Sequence, residues 1–314
     1  MKFGIVMDPI GSISFKKDSS LAILLKAQER EHDLIYMEPN SLFLTEKGPH
    51  ARAFSISVRD DPSSWFSLEN ERIIPLEEID LIIMRQDPPF DSNYIYNTYV
   101  LDSAESRGVK VINKPSSLRD CNEKVFATEF PQCCTPYVVS SENDLLREFI
   151  NTHNDTVIKP LDGMGGSSIF RLKKNDSNIG VILETITNQF KTKVMIQRYI
   201  KEIKDGDKRI LLVDGDHFGA AISRVPAEGE LRGNLAAGAT AIATSLTEKD
   251  IWICEQVAPV LRERKLTLVG LDVIGEYLTE INVTSPTCFR EYKELCDIDV
   301  AEKLLEALES KVNV

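Results

Sequence analysis

The sequence predicts an α/β protein, α+β overall, in which a parallel-sheet domain precedes a region of antiparallel strands. Strand and helix patterns alternate over residues 1–115, as in domains that cover a parallel sheet with helices. Short strands follow each other closely after residue 155, which is typical of antiparallel sheets. The length of 314 residues suits roughly two domains of about 150 residues.

In the first part of the chain, apolar runs and helix caps define five elements. Asp18 or Ser19 can cap the first helix, which should run to about Arg30, and Gly108 ends the second. Strands are predicted at 3–7, 81–84 and 109–113, and helices at about 19–30 and 93–107. Because ligands of parallel sheets bind beyond the carboxyl ends of the strands, Asp8, Arg85 and Asn113 are expected near a binding site.

In the second part, an Asp214-Gly215 pair predicts a hairpin turn between two short strands. Thr247 and Asp250 form a capping box at the start of a helix that runs to about residue 264, and an amphipathic helix over 300–308 closes the fold. The predicted strands are 156–160, 169–172, 194–200, 209–213 and 219–224.

Charge and cysteine content restrict the function and the compartment. The net charge is −12, which disfavours a nucleic-acid partner but allows a local cationic site for an anionic substrate. No apolar run approaches the roughly 20 residues that a membrane helix needs. The six cysteines form no C-x-x-C pair and no disulfide pattern, so we expect a cytoplasmic protein.

The most informative segment is 266–287, where three oxygen-bearing side chains lie on two predicted strands. Glu280 and Asn282 are two residues apart and share a face, and Asp272 lies on the preceding strand. Oxygen ligands of this kind suit Mg²⁺ or Mn²⁺ better than zinc. For Asp272 to face Glu280, the hairpin needs a three-residue loop near 275–277 or a bulge there. A hairpin with charged edge residues is the alternative reading.

Upstream lies a glycine-rich loop, 162–168, between two predicted strands. Its backbone N–H groups could surround an anion, with Lys159 placed above the loop by the extended geometry that Pro160 favours. It is neither a Walker A loop nor a Rossmann loop, because no Gly-Lys-Ser/Thr and no helix follows. Taken alone, a plain glycine hairpin and a solvated surface lysine are the favoured interpretations of these features, and Lys124 is ambiguous in the same way.

Two further segments carry cations. Arg209 and Arg224 lie on neighbouring predicted strands, where they could bind a carboxylate or phosphate or simply form a surface charge ladder. The loop 225–243 is long and rich in glycine and alanine, which is typical of a lid, and Arg232 and Asn234 would be its active groups. Cys288 has no histidine nearby in sequence to activate it, so a structural role is expected.

Taken together, these features resemble the ATP-grasp superfamily and, within it, the bacterial-type glutathione synthetases. The resemblance rests on seven stretches that span nearly the whole chain: MDPI (7–10), MRQDPPFD (84–91), VINKPSSLRDCNEK (111–124), IKPLDGMGGSSIFR (158–171), KDGDKR (204–209), RGNLAAG (232–238) and VGLDVIG…LTEINVTSPT (269–287).

The resemblance implies an ATP-grasp fold in three parts. These are an N-terminal α/β substrate domain (1–121), a small central lid domain (122–199) and a C-terminal antiparallel-sheet domain that binds metal (200–314). It also implies a ligase that joins γ-glutamylcysteine to glycine through an acyl phosphate, with ATP as co-substrate and Mg²⁺ or Mn²⁺ as cofactor. A homotetramer is the oligomeric state that the resemblance suggests.

The same resemblance implies a role for each matching residue. Asp272, Glu280 and Asn282 would hold metal. The catalytic groups would be Arg209, Arg224, Arg232 and Asn234, and substrate would contact Arg85, Ser285 and Thr287. The nucleotide would contact Lys124, Lys159, Gly163, Gly165, Gly166, Gln197, Tyr199, Ile200 and Asp207.

Two alternatives stay open at this point. One is another ATP-grasp ligase, for example a D-alanine–D-alanine or amino-acid-tail ligase, against which the stretches at 84–91 and 283–287 argue. The other is a catalytically silent ATP-binding module, against which the presence of Arg209, Asp272, Glu280 and Asn282 argues.

Overall fold

Three sheets, each formed by a separate stretch of the chain, organise the molecule in the computed structural model. The structure describes residues 1–163, 165–230, 232–233, 235 and 238–312. The sheets have six, four and six strands and lie in the order in which the chain forms them. The predicted boundaries at 121/122 and 199/200 lie between the sheets. No helix in the described ranges has the length and apolar character to cross a membrane.

The first sheet has the strand order β4-β3-β2-β1-β5-β6. Strands β2, β1, β5 and β6 are parallel, whereas β3 and β4 extend the sheet in antiparallel fashion. The strands are β1 (Lys2–Met7), β2 (Asp33–Thr45), β3 (Gly48–Val58), β4 (Phe66–Pro75), β5 (Leu81–Arg85) and β6 (Lys110–Ile112). Its helices are α1 (Ser19–Glu29), α2 (Ser92–Glu105) and α3 (Pro115–Asp120).

The predicted parallel sheet is present in β2, β1, β5 and β6, and the antiparallel strands β3 and β4 extend it in a way that the sequence did not indicate. Strand β2 contains Pro39, and its pairing with β3 shifts register between Met37 and Leu42. A second shift, between Ala53 and Ser55, interrupts the pairing of β3 with β4. These irregularities break the two-residue periodicity by which a strand is recognised in sequence. Elsewhere the prediction is confirmed: Asp18 caps α1 by accepting a hydrogen bond from the Leu21 backbone N–H, 2.6 Å away.

The second sheet is antiparallel, with the order β7-β10-β8-β9. Three of its strands match predicted ones, whereas β7 and both helices had no prediction. The elements are β7 (Tyr137–Ser140), α4 (Asn143–His153), β8 (Asp155–Pro160), β9 (Phe170–Lys173), α5 (Ile179–Ile186) and β10 (Val194–Arg198). Short 3₁₀ turns lie at 10–12, 76–78, 126–129, 131–133 and 201–205.

The third sheet, also antiparallel, has the order β14-β13-β11-β15-β16, with β12 paired to β11. The predicted Asp214-Gly215 turn and the Thr247/Asp250 capping box are both present. The last residues of the predicted long loop, 225–243, belong to a strand, since β14 begins at Thr240. The elements are β11 (Asp207–Val213), β12 (Asp216–His217), β13 (Ala220–Val225), β14 (Thr240–Ser245), α6 (Glu248–Glu263), β15 (Leu268–Ile274), β16 (Tyr277–Asn282), α7 (Phe289–Cys296) and α8 (Val300–Val312).

The hairpin of β15 and β16 confirms the geometric requirement stated above. Asp272 stands directly opposite Glu280, and the register shifts immediately afterwards, so that Val273 pairs with Leu278. Thr279 is thus the extra residue of a bulge, and the turn itself has two residues, Gly275 and Glu276. The bulge turns Asp272 and Glu280 to the same face of the sheet.

Asn113 joins the first domain to the third sheet. Its side-chain Nδ2 donates to the carbonyls of Leu268 and Val283, both at 2.8 Å, and its Oδ1 accepts from the Leu268 N–H at 2.9 Å. All of these atoms are buried. Asn113 therefore lies at the predicted strand end, but its amide joins two domains and is not directed at a binding site.

Asn113→Ala is expected to lower the free energy of unfolding by about 2–4 kcal/mol, because three buried backbone groups lose their partner. Urea unfolding measures the change. Asn151→Ala, on the exposed face of α4, is the matched control and should change stability by less than about 0.5 kcal/mol. A similar small effect at Asn113 would show that the domain contact does not depend on its amide.

An ion-pair cluster fastens α8 to the end of α1. Arg30 binds Glu309 through two hydrogen bonds of 2.8 and 2.5 Å and Glu302 through one of 2.6 Å. His32 Nε2 lies 2.8 Å from Glu309 Oε1. The hydrogen bond from Arg30, and after it that from His32, holds the pKa of Glu309 below its ordinary value.

Because its pKa is lower when folded, Glu309 stabilises the fold above its ordinary pKa, and the effect is lost as the pH falls through the folded value. Glu309→Gln should cost roughly 1 kcal/mol at pH 7, since the pair is partly solvated. The difference from wild type should begin to shrink as the pH falls through the ordinary glutamate pKa of about 4.3, and it should vanish once the pH is below the folded pKa of Glu309. Chemical unfolding at several pH values measures it, with the exposed Glu306→Gln as control. A cost that persists at low pH would contradict the ionic origin.

Candidate active site

A cleft lies between the second and third sheets, where residues from both sheets and from the linker before them meet. The cleft is lined by predicted site residues that come from separate parts of the chain. They are Lys124, Lys159, Gly163, Gly165, Gly166, Gln197, Tyr199, Ile200, Asp207, Arg232, Asp272 and Glu280.

The glycine loop joins β8 to β9 along one wall of this cleft. Gly165 and Gly166 have φ angles of 64° and 78°, the left-handed region that favours glycine. A side chain at Gly165 would meet no atom within 4 Å, so the loop leaves open space above its backbone. This geometry suits the approach of an anion to the backbone N–H groups. Met164 lies outside the described residues.

Two buried lysines face a carboxylate across the cleft. Lys159 Nζ lies 3.1 Å from Glu280 Oε1, and Lys124 Nζ lies 3.9 Å from the same atom and 2.7 Å from the Gly163 carbonyl. Burial alone would raise the pKa of Glu280, but the charges of Lys124 and Lys159 outweigh it and hold the pKa below its ordinary value. Glu280 is therefore ionised at neutral pH, beside two cations.

The second charged group is a buried cluster on β11, β13 and β15. Arg209 binds Asp272 through two hydrogen bonds of 2.6 and 3.2 Å, and Arg224 Nη2 lies 3.0 Å from Asp272 and also binds Asp207. Gly270 leaves room for this arrangement, because a Cβ there would lie 3.0 Å from Arg209 Cδ. The arginines are thus held side by side, so the alternative of a surface charge ladder is wrong.

Burial and neighbouring charges shift the pKa values of Asp272 and Asp207 in opposite directions. Burial would raise the pKa of Asp272, yet the pair Arg209 and Arg224 lowers it well below its ordinary value. Burial raises the pKa of Asp207 to about 7, against the opposing charge of Arg224. Asp207 Oδ1 is buried and has no hydrogen-bond partner in the part of the chain that the structure describes. Asp207 therefore has an acceptor available for a ligand in the cleft.

The segment that joins the second sheet to the third forms another wall. Gln197 is buried in β10, and the Tyr199 N–H donates to the Asp155 carbonyl at 3.0 Å. The Arg171 guanidinium lies 3.7 Å from the Tyr199 ring centroid and is itself fixed by Asp155. These contacts hold the segment in place, and its partly apolar lining suits an adenine ring.

A second pocket adjoins the first and shares Asp272 and Glu280 with it. It contains the predicted residues Asn282, Ser285 and Thr287, and Cys288 as well. Thr287 Oγ1 lies 3.5 Å from Arg209 Nη1, and Ser285 Oγ donates to the Arg85 carbonyl at 3.4 Å. Burial raises the pKa of Cys288, so the thiol stays protonated, in agreement with the structural role expected for it.

The two predicted lid residues have different outcomes. Arg232 lines the first cleft, where its Nε lies 3.1 Å from Glu230 Oε2. Asn234 lies outside the described residues. Asp8, expected near a ligand, instead accepts a hydrogen bond of 2.8 Å from the Asp87 N–H.

Sequence reasoning missed the segment just before Lys124. Asn122 Nδ2 donates to the Leu161 carbonyl at 2.9 Å and so anchors the base of the glycine loop. Glu123 accepts a hydrogen bond of 2.7 Å from Thr284 Oγ1 and lines the second pocket. Asn122 and Glu123 directly precede Lys124 in the sequence. This closeness to a candidate phosphate-binding lysine was the signal that could have identified them.

The described residues contain no cluster of three or more His, Cys, Asp or Glu side chains suited to a metal. The predicted trio has only two carboxylates, with the amide of Asn282 as the third group. Asn282 is paired with Gly270 in the hairpin, two residues along the strands from the pair of Glu280 and Asp272 and therefore on the same face. Such a donor set fits a hard cation that takes its remaining oxygens from nucleotide phosphates.

Family models cover nearly the whole chain. The N-terminal domain model of prokaryotic glutathione synthetase matches residues 1–119, and the ATP-grasp domain model of the same family matches residues 123–297. The fold is therefore the predicted ATP-grasp fold.

Individual proteins agree with the models. The chain is 55% identical to glutathione synthetase of Pseudomonas putida and 49% identical to that of Vibrio parahaemolyticus, in both cases over 312 residues. These matches cover 99% of this chain and 98% and 99% of the relatives.

Among solved structures, D-cycloserine synthetase DcsG has a TM-score of 0.69 at 13% identity, with 99% of both chains covered. D-alanyl-alanine synthetase A of Vibrio cholerae has a TM-score of 0.61 at 14% identity, with 100% of this chain and 99% of that one covered. At such low identity these structures support the fold alone. The full-length matches place the chain in the prokaryotic glutathione synthetase family.

Proposed function

We propose that the chain ligates γ-glutamylcysteine and glycine, using ATP, to form glutathione, ADP and phosphate. Family membership makes the chain an ATP-dependent ligase. The observation that carries the proposal is the pair of adjoining pockets that share Asp272 and Glu280, with Lys124 and Lys159 in the first pocket and Arg209 and Arg224 in the second.

In the proposed nucleotide site, the phosphates lie over Gly163, Gly165 and Gly166, within reach of Lys124 and Lys159. The adenine ring lies against Gln197, Tyr199 and Ile200, and the free Oδ1 of Asp207 accepts a hydrogen bond from the nucleoside. Mg²⁺ or Mn²⁺ held by Asp272, Glu280 and Asn282 would neutralise phosphate charge when bound.

The reaction needs two transfers and no protein nucleophile. A cysteinyl carboxylate oxygen attacks the γ-phosphorus of ATP, and ADP leaves. The glycine nitrogen then attacks the acyl carbon, loses a proton and displaces phosphate. Arg209 and Arg224 supply fixed positive charge where negative charge develops on the transferred phosphoryl group and the tetrahedral carbon. Arg232 and Asn234, on the lid, exclude water from the acyl phosphate.

The dipeptide lies in the second pocket, with Asn282, Ser285 and Thr287 near its carboxylates and Arg85 reaching in from the first domain. A homotetramer in the cytoplasm, without nucleic-acid or membrane partners, completes the proposal. These last points rest on the family resemblance and on composition.

Phosphate release from ATP and Mg²⁺, measured with γ-glutamylcysteine in the presence and absence of glycine, tests the proposal. We expect glycine-dependent release together with a tripeptide detected by mass spectrometry. Activity only with other carboxylates and amines, such as D-alanine pairs, would retain the ATP-grasp chemistry and overturn the substrates.

A further inference from the structure

The segment 122–124 is cross-linked twice to the base of the glycine loop. Asn122 Nδ2 donates to the Leu161 carbonyl at 2.9 Å. Two residues further along both stretches, Lys124 Nζ donates to the Gly163 carbonyl at 2.7 Å. The segment and the start of the loop, 39 positions apart in sequence, are therefore held side by side.

On its other side the same segment is bound to β16 and the residues after it. The Ile281 N–H donates to the Glu123 carbonyl at 2.8 Å, and Thr284 Oγ1 donates to Glu123 Oε1 at 2.7 Å. Ile281 directly follows Glu280, the carboxylate that Lys124 Nζ faces at 3.9 Å. The segment thus bridges the glycine loop of the second sheet and the hairpin of the third.

Asn122 is fixed at both ends of its side-chain amide. Its Oδ1 accepts from the backbone N–H groups of Lys124 and Val125, both at 3.1 Å, which forms an Asx turn before the 3₁₀ turn at 126–129. The Leu161 carbonyl can only accept, so the amide nitrogen must face it and the oxygen must face the turn. One amide therefore sets the separation between the Lys124 backbone and the loop.

Asn122 acts on the cleft from outside it. Its side chain is not part of the lining that the described residues provide for either pocket, whereas Lys124 lines the first pocket and Gly163 lines both. Replacing Asn122 removes no group that contacts a ligand in the proposed nucleotide site. It releases the backbone of one such group, Lys124, and the base of the loop that carries the others.

We infer that Asn122 is a positioning residue for the phosphates of the nucleotide, acting through Lys124 and the glycine loop. The inference rests on the nucleotide site of the proposed function and extends it. A lysine and a row of backbone N–H groups bind an anion most tightly when they are ordered before the anion arrives, because the ligand then does not have to order them. The amide of Asn122 supplies that order on the phosphate side of the cleft only.

Affinities for ATP and for adenosine, each measured with Mg²⁺ by competition against a fluorescent ATP analogue, test this role. Asn122→Ala should weaken ATP binding on the order of 10-fold, as expected for loss of one well-placed hydrogen-bonding group. Adenosine has no phosphates, so its affinity should change by less than about 3-fold. A side chain that only stabilised the fold would not separate the two ligands.

Gln28→Ala is the matched control. The side-chain amide of Gln28 also binds backbone at both ends, since its Nε2 donates to the Val58 carbonyl and its Oε1 accepts from the Val58 N–H, both at 2.8 Å. It joins α1 to β3 in the first domain, and neither Gln28 nor Val58 belongs to the described lining of the two pockets. Gln28→Ala should lower the urea midpoint as Asn122→Ala does, while leaving both affinities unchanged.

Asn122→Ser serves if the alanine variant folds poorly. A serine oxygen can still accept in the turn, but the side chain has no amide to reach the Leu161 carbonyl. It should show the same selective loss of ATP affinity, by about 3- to 10-fold.

Equal weakening of ATP and adenosine in the Asn122 variants would overturn the inference, as would ATP binding as tight as that of wild type. Glycine-dependent turnover of γ-glutamylcysteine is measured separately on wild type. Its absence would contradict the proposed reaction, whereas the comparison of ATP with adenosine would still decide the role of Asn122.

Discussion

Replacement of Glu280 by glutamine is expected to lower kcat by on the order of 10²- to 10³-fold. The change removes a negative charge that faces Lys159 at 3.1 Å and Lys124 at 3.9 Å, and with it a proposed metal ligand. The glutamine keeps an oxygen that can accept from Lys159, so the fold should be retained. Steady-state kinetics and circular dichroism on the same preparation measure both effects.

Glu276→Gln is the matched control, because it makes the same change in the exposed turn of the same hairpin. Its kcat should equal that of wild type. A Glu280→Gln protein of normal activity would show that this carboxylate neither binds metal nor positions the lysines.

Arg209→Met should reduce kcat by about 10²-fold or more while changing the ATP dissociation constant much less. Arg209 lines the second pocket and is paired with Asp272, which borders both pockets. In the proposed mechanism, negative charge would develop there only as the phosphoryl group is transferred. The variant should also be less stable, by about 3–5 kcal/mol, because it removes one partner of a buried ion pair whose side chains are 7% and 5% exposed. Nucleotide titration, kinetics and urea unfolding separate the three effects.

Arg262→Met removes an exposed arginine that pairs with Asp216 and serves as control for charge loss. It should leave turnover and nucleotide affinity unchanged. Equal losses of kcat and ATP affinity in Arg209→Met would mean that Arg209 binds the ground-state phosphate and has no special role in the transition state.

Local signals in the sequence predicted the elements that surround the cleft. Helix caps at Asp18 and Thr247 and the Asp214-Gly215 turn have short-range physical causes, and the structure contains each of them. Strand parity predicted either a three-residue loop or a bulge for Asp272 and Glu280 to share a face, and the structure has the bulge, at Thr279. The family resemblance supplied the order of the domains.

Features that depend on contacts distant in sequence could not be predicted in this way. The hairpin of β2 and β3 has its periodicity interrupted by bulges, and the engagement of Asn113 with Leu268 joins residues 155 positions apart. The pairing of Arg209 with Asp272 likewise depends on the alignment of β11 with β15. The sequence could not decide between a ligand-binding role and a charge ladder for Arg209 and Arg224. The decision depends on their burial, which only the tertiary structure provides.

The most direct test of the proposed chemistry follows the carboxylate oxygens of the dipeptide. γ-Glutamylcysteine labelled with ¹⁸O in its cysteinyl carboxylate is incubated with ATP, Mg²⁺ and glycine, and the products are analysed by mass spectrometry. An acyl phosphate requires one labelled oxygen to appear in phosphate and the other to remain in the new amide. Label in AMP, or phosphate without label, would contradict activation by the γ-phosphate and with it the proposed mechanism.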